Sequence, residues 1–177
     1  SNNEFYFTNW VNNYYNYNQS VFLENTSNIN IVDNEFKSSS YTSIDYVISI
    51  NETNQIRIEN NNISSEIRNE AISVYSSNSI EIIGNTIITY IRGIYIQNSI
   101  SGNISLIGNN IAPKKGNRLE YGIKAWNDGA DSLLIKNNII STVKTGIEVN
   151  NRTYSYSGKN SKSIVKGNTI TDILGGS

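Results

Sequence analysis

Six segments of this chain repeat one short pattern: apolar, any, apolar, any, then Gly, Asn or Asp, then Asn, any, apolar. They run from Ile29 to Phe36, Ile56 to Ile63, Ile80 to Ile87, Ile104 to Ile111, Leu133 to Ile140 and, with Ser163 in the first slot, Ser163 to Ile170. A seventh, partial copy opens the chain at Asn2-Asn3-Glu4-Phe5. The asparagines they share are Asn3, Asn34, Asn61, Asn85, Asn109, Asn138 and Asn168, with intervals of 31, 27, 24, 24, 29 and 30 residues. This is the period of a solenoid, in which each repeat buries its apolar side only against the repeats before and after it.

Within one repeat the apolar period is two, that of a strand. Ile80, Ile82, Asn85 and Ile87 share one face, and Glu81 and Ile83 the other, provided that Gly84 reverses the alternation at a bend. The residues in that bend position are Asn2, Asp33, Asn60, Gly84, Gly108, Asn137 and Gly167. They are the types that best tolerate a left-handed backbone. Another strand, the first of each repeat, recurs between the bends, at Val21-Phe22-Leu23, Ile48-Ser49-Ile50, Ile72-Ser73-Val74, Ile94-Tyr95-Ile96, Ile123-Lys124-Ala125 and Ile147-Glu148-Val149. Gly93, Gly122 and Gly146 precede the last three. The repeat is therefore expected to be strand, short turn, strand, asparagine bend, third strand and a longer return loop.

This arrangement, from Asn2 to Ile170, resembles the right-handed parallel β-helix repeat family, the pectate-lyase-like coil. The resemblance implies an all-β fold of about six rungs of three strands, with the seven bend asparagines pointing inward and bonded along the axis as a ladder. It leaves the chemistry open, because polysaccharide lyases and hydrolases, phage tail spikes and adhesin-like surface proteins all resemble this coil.

Composition fits a coil and narrows the chemistry. Apolar residues are 37% of the chain, enough where each rung needs only a few inward aliphatics. A net charge of −1 gives no electrostatic case for nucleic acid or an anionic membrane. No apolar run approaches the length of a membrane span. With no histidine and no cysteine, imidazole bases, thiol nucleophiles and the usual transition-metal cages are excluded, and no cofactor is expected. Residues 1–174 read as a single domain cut from a longer coil, and 175–177 as linker.

Alternation also assigns the outward face of the first strand. One column reads Phe22, Ser49, Ser73, Tyr95, Lys124 and Glu148, and the next Glu24, Asn51, Tyr75, Gln97, Trp126 and Asn150. In lyases and hydrolases that resemble this fold, the polysaccharide lies along a groove on that sheet. Tyr75, Tyr95 and Trp126 are then expected to form a stacking track for sugar rings, with Lys124 beside it. Two loops offer weaker alternatives: the aromatic stretch Asn9 to Ser20, with Trp10, Tyr14, Tyr15 and Tyr17, and the basic stretch Pro113 to Arg118. The connection from Asn150 to Ser163 is the longest between a first and a second strand.

Catalysis would have to rest on carboxylates, and Glu148, Asp128 and Asp131 are the candidates near Trp126. They follow no specific motif, and the clustered aspartates of calcium-dependent lyases are missing. The expected function is a non-catalytic module of an extracellular, cell-surface or virion protein that presents a glycan-binding face. The alternative is a polysaccharide hydrolase or lyase. On the second sheet the outward columns carry Val32, Ile83, Ile107, Leu134 and Ile164. That run suggests self-association, as in tail spikes that pack three coils side by side.

Overall fold

The computed structural model describes residues 4–7, 19–38, 46–64, 69–98, 101–127, 129–151 and 162–172. All their regular elements are strands, and every strand pairs in parallel. A first sheet stacks Gln19–Glu24, Tyr46–Asn51, Glu70–Tyr75, Arg92–Gln97, Leu119–Asn127 and Val143–Asn151. A second stacks Ser27–Val32, Asn54–Glu59, Asn78–Ile83, Asn103–Ile107, Ser132–Lys136 and Lys162–Lys166. A third stacks Glu4–Phe7, Glu35–Ser38, Asn62–Ser64, Thr86–Thr89, Asn110–Pro113, Ile139–Ser141 and Thr169–Thr171. The chain visits the three sheets in turn and returns one rung further along, which makes it a parallel β-solenoid.

Alternation puts the aliphatics inside. Ile80, Ile82 and Ile87 are fully buried, and their register partners Ile56, Ile58, Ile63, Ile104, Leu106 and Ile111 are buried with them. Gly93, Gly122 and Gly146 lie inside the first-sheet strands, in a buried column that Val47 and Ala71 fill in earlier rungs. A Cβ on Gly122 would come within 2.5 Å of Ile140 Cγ2, so the third-sheet isoleucine takes the space that a side chain would need.

The bends have the expected backbone. Asp33, Asn60 and Asn137 have φ of 57°, 54° and 55°, and Gly84, Gly108 and Gly167 of 64°, 65° and 64°. Each left-handed residue turns the chain and delivers the following asparagine to the interior. Asn61 Nδ2 donates to Asn85 Oδ1 at 3.0 Å, and the same oxygen accepts the Asn61 backbone N–H at 2.9 Å. Asn85 repeats the arrangement on Asn109, Asn109 on Asn138 and Asn138 on Asn168. The amide nitrogens also reach carbonyls of the rung before, Asn85 Nδ2 to Ile58 O at 3.0 Å and Asn109 Nδ2 to Ile82 O at 2.9 Å. A buried amide without partners costs about 1–3 kcal/mol. The ladder removes that cost and ties consecutive rungs together. Asn3, the first expected member, lies outside the described residues, as does Asn2 before it.

The corner between first and second sheets follows the same rule with different residues. Asn25, Glu52 and Ser76 have φ of 50°, 49° and 48°, and the residues after them, Thr26, Thr53 and Ser77, carry hydroxyls. Thr53 and Ser77 are fully buried. Ser77 Oγ accepts the Thr53 backbone N–H at 3.1 Å and donates to Tyr75 O at 2.8 Å, while Thr26 and Thr53 Oγ1 lie 3.3 Å apart. A short hydroxyl ladder thus runs at one corner while the amide ladder runs at another.

On the outward side of the second sheet, Val32, Ile83, Ile107, Leu134 and Ile164 stand in the expected columns, and all are half-buried. Among the described residues the large apolar side chains that are exposed are others: Phe22, Tyr75, Ile139 and Val165. Among the described residues no helix is long and apolar enough to cross a membrane.

Candidate functional site

The first sheet begins earlier in each rung than the apolar pattern implies. Glu70, Arg92 and Tyr121, which stand before the apolar triplets, are strand residues in register, Glu70 beside Arg92 and Arg92 beside Tyr121. They add a third outward column. Its neighbours are the two expected columns, where Ser73, Tyr95, Lys124 and Glu148 follow one another on successive rungs, and Trp126 pairs with Asn150.

These columns build a cluster of rings and charges around Tyr95. Its ring centroid lies 6.0 Å from that of Trp126, edge to face at 86°, and 6.2 Å from that of Tyr121 at 54°. Lys124 Nζ sits 5.6 Å from the centroids of both Tyr121 and Trp126 and 3.2 Å from Glu148 Oε1. The lysine is therefore held by two π faces and one carboxylate. Arg92 lies 5.6 Å from the Tyr121 centroid and is bound by Glu120 at 2.7 Å and Glu70 at 3.3 Å.

Glu70 anchors the cluster from below. Its carboxylate is buried and accepts the Tyr121 phenol at 2.6 Å. Burial first, and then this bond, push the Tyr121 phenol well above its ordinary range, because ionising it would place a second anion beside Glu70. Tyr121 stays protonated and keeps its ring fixed under Lys124.

Tyr75 is set apart from the other rings. It pairs in register with Asn51 and Gln97 and is 43% exposed, whereas Tyr95 and Trp126 are half-buried. The three aromatics read from sequence as one track are thus an exposed ring and an edge-to-face pair. Such a pair combines one ring face with one ring edge.

The carboxylates are committed to different partners. Glu148 pairs with Lys124 on the sheet, and Asp131 Oδ2 accepts the Gly102 backbone N–H at 3.2 Å at the corner toward the second sheet. Asp128 lies outside the described residues, as do Trp10, Tyr14, Tyr15 and Tyr17 of the aromatic loop and residues 152–161 of the long connection. Lys114 N donates to Thr89 O at 2.8 Å, which starts the basic loop as an extension of the third sheet. Among the described residues no group of three or more acidic side chains gathers in a form that would hold a metal ion.

Glu70, Arg92 and Tyr121 are the members of the cluster that sequence reading missed. Each stands two positions before an apolar strand triplet, where strict alternation would put it on the inward face with the triplet's apolar residues, so period two alone could not have found them. Compared with protein-family models, curated proteins and solved structures, the chain matches none.

Proposed function

We propose that this solenoid is a non-catalytic, extracellular β-helix module of the pectate-lyase-like kind, as in surface adhesins and phage tail spikes. Its first-sheet face binds a cell-surface or extracellular polysaccharide. The observation that carries the proposal is the preorganised pair Tyr95–Trp126, 6.0 Å apart, with Lys124 held between rings and Glu148. An aromatic surface with polar groups locked at its rim suits a pyranose, whose faces stack and whose hydroxyls need donors and acceptors. Glu148 is charge-paired with Lys124, which favours a binding role over that of a general acid.

Titration of a polysaccharide panel with the parent and Trp126→Ala tests it. Binding is expected to weaken about tenfold or more, a loss of about 1.4 kcal/mol, with the strand content retained by circular dichroism. Binding unaffected by Trp126→Ala would remove this surface from consideration. Assaying the same panel for new reducing ends and unsaturated products tests the hydrolase or lyase alternative, and product formed by the parent but lost in Glu148→Gln would replace binding by catalysis. Self-association through the second sheet belongs to the same proposal, with Ile83, Ile107, Leu134 and Ile164 as the contact. A monomer by light scattering at high concentration, unchanged by Ile107→Lys, would eliminate it.

A further inference from the structure

The second sheet carries a trough that the first-sheet reading does not use. Its volume is about 370 Å³, and Ile56 apart the residues that line it carry amide, hydroxyl or charged ends on short aliphatic stems. One wall is the column Asn30, Arg57, Glu81 and Ser105, in register on four successive rungs. The other rises at the corner, where Asn28, Gln55 and Ser79 have φ of 59°, 55° and 51°. A left-handed residue there makes two consecutive side chains face outward: Asn54 and Gln55 are both exposed before Ile56 turns in. The extra outward residue in each rung is what gives the sheet face a second wall.

We infer that this trough binds an extended, uncharged oligosaccharide lying along the solenoid axis. Three observations select that ligand class. First, the corner wall repeats neutral donors and acceptors, Asn28, Gln55, Ser79 and Asn103, at the rung spacing of about 4.8 Å, comparable to the length of one sugar unit in an extended chain. Second, the charges are already paired within the protein: Arg57 Nε binds Glu59 at 2.6 Å and Nη1 binds Glu81 at 3.3 Å. This leaves N–H groups of the guanidinium fork for hydroxyls, while two carboxylates to one cation disfavour an acidic polymer. Third, the trough lies on a sheet face, where a peptide strand has no open edge to pair with. The walls are also held in place, since Asn78 Nδ2 donates to Asn54 Oδ1 at 2.6 Å and Ser132 Oγ to Asn103 Oδ1 at 2.7 Å.

The test is calorimetric titration with β-linked glucose oligomers, N-acetylglucosamine oligomers and oligogalacturonate, using the parent, Asn30→Ala/Ser105→Ala, Trp126→Ala and the two combined. Asn30 and Ser105 point outward from regular strands, and circular dichroism and melting confirm that the double variant folds. A neutral oligomer is expected to bind, and the double variant to weaken it about tenfold, as for two lost neutral hydrogen bonds, by the same factor whether or not Trp126→Ala is also present. That pattern separates this trough from the first-sheet face, whose failure or success is read from Trp126→Ala alone. No saturable binding of either neutral series, binding of oligogalacturonate alone, or a loss confined to Trp126→Ala would overturn the inference. So would an oligomer by light scattering that the double variant dissociates, since the trough would then be a contact between copies.

Discussion

The phenol of Tyr121 donates a 2.6 Å hydrogen bond to Glu70, a residue 51 positions earlier whose strand lies two rungs away. The bond spans the intervening Arg92, which itself reaches Glu70 at 3.3 Å. One buried carboxylate thereby fixes side chains from three rungs and holds the floor of the candidate glycan face.

A pH dependence follows. Burial and Glu70 raise the folded-state pKa of Tyr121 above its unfolded value. The stabilisation is complete below the unfolded pKa and is lost as pH rises toward the folded one, because above about pH 10 only the unfolded chain releases this proton. Stability is expected to fall by about 1.4 kcal/mol per pH unit above that point from this group alone. Denaturant unfolding from pH 8 to 11 should show a slope steeper in the parent than in Tyr121→Phe, and equal slopes would refute the coupling. At neutral pH the variant is expected to lose about 1–2 kcal/mol, the bond to a buried carboxylate.

The asparagine ladder makes the opposite demand from an ordinary core. Asn85→Leu adds apolar volume, yet it removes the acceptor of the Asn61 N–H and a donor to Ile58 O. Two buried backbone groups left without partners predict a loss of roughly 3 kcal/mol. A melting temperature at or above the parent's would show that the amide network contributes nothing.

The hydroxyl ladder allows a finer comparison. Thr53→Val removes a donor to Asn51 O at 2.9 Å, whereas Ser77→Ala removes the acceptor of the buried Thr53 N–H at 3.1 Å. Ser77→Ala is expected to cost about 1–3 kcal/mol and Thr53→Val about 1 kcal/mol. The reverse order, measured by urea unfolding, would mean that this corner is not built on the backbone bond.

The fold was legible in the sequence because its punctuation repeats with residues that have few other uses. Gly, Asn or Asp before an asparagine, at intervals of 24 to 31 residues, gives both the bend and the inward amide. The hydroxyl ladder has the same intervals, 27 and 24 between Thr26, Thr53 and Ser77. It was missed because Ser and Thr are common on strands, and Glu52 and Ser76 are poor signals for a left-handed backbone. Lys124 and Glu148 were legible as members of one column because each is the central residue of an apolar triplet, one repeat apart. Glu70, Arg92 and Tyr121 each precede a triplet of this kind, at Ile72, Ile94 and Ile123, and nothing in the apolar pattern marks where a strand begins. The trough was hidden for a related reason: Gln55 and Ser79 have left-handed backbones that their residue types do not advertise.

The bends themselves can be tested by separating backbone conformation from space. Gly84 and Gly108 have nearly the same φ, 64° and 65°. A Cβ on Gly84 would lie 2.6 Å from Asn60 Oδ1, whereas one on Gly108 would meet nothing within 4 Å. Gly108→Ala therefore reports left-handed strain alone, expected at about 1–2 kcal/mol. Gly108→Asn should cost less, since Asn60 and Asn137 hold the same conformation in other rungs. Gly84→Ala adds the collision with the Asn60 side chain, so it is expected to exceed Gly108→Ala, with the excess relieved when Asn60→Gly is combined with it. A double-mutant cycle between positions 60 and 84 measures that relief as a coupling energy. A cycle that closes with no coupling, or Gly108→Ala costing as much as Gly84→Ala, would mean that the asparagine stacked over the next bend does not constrain it.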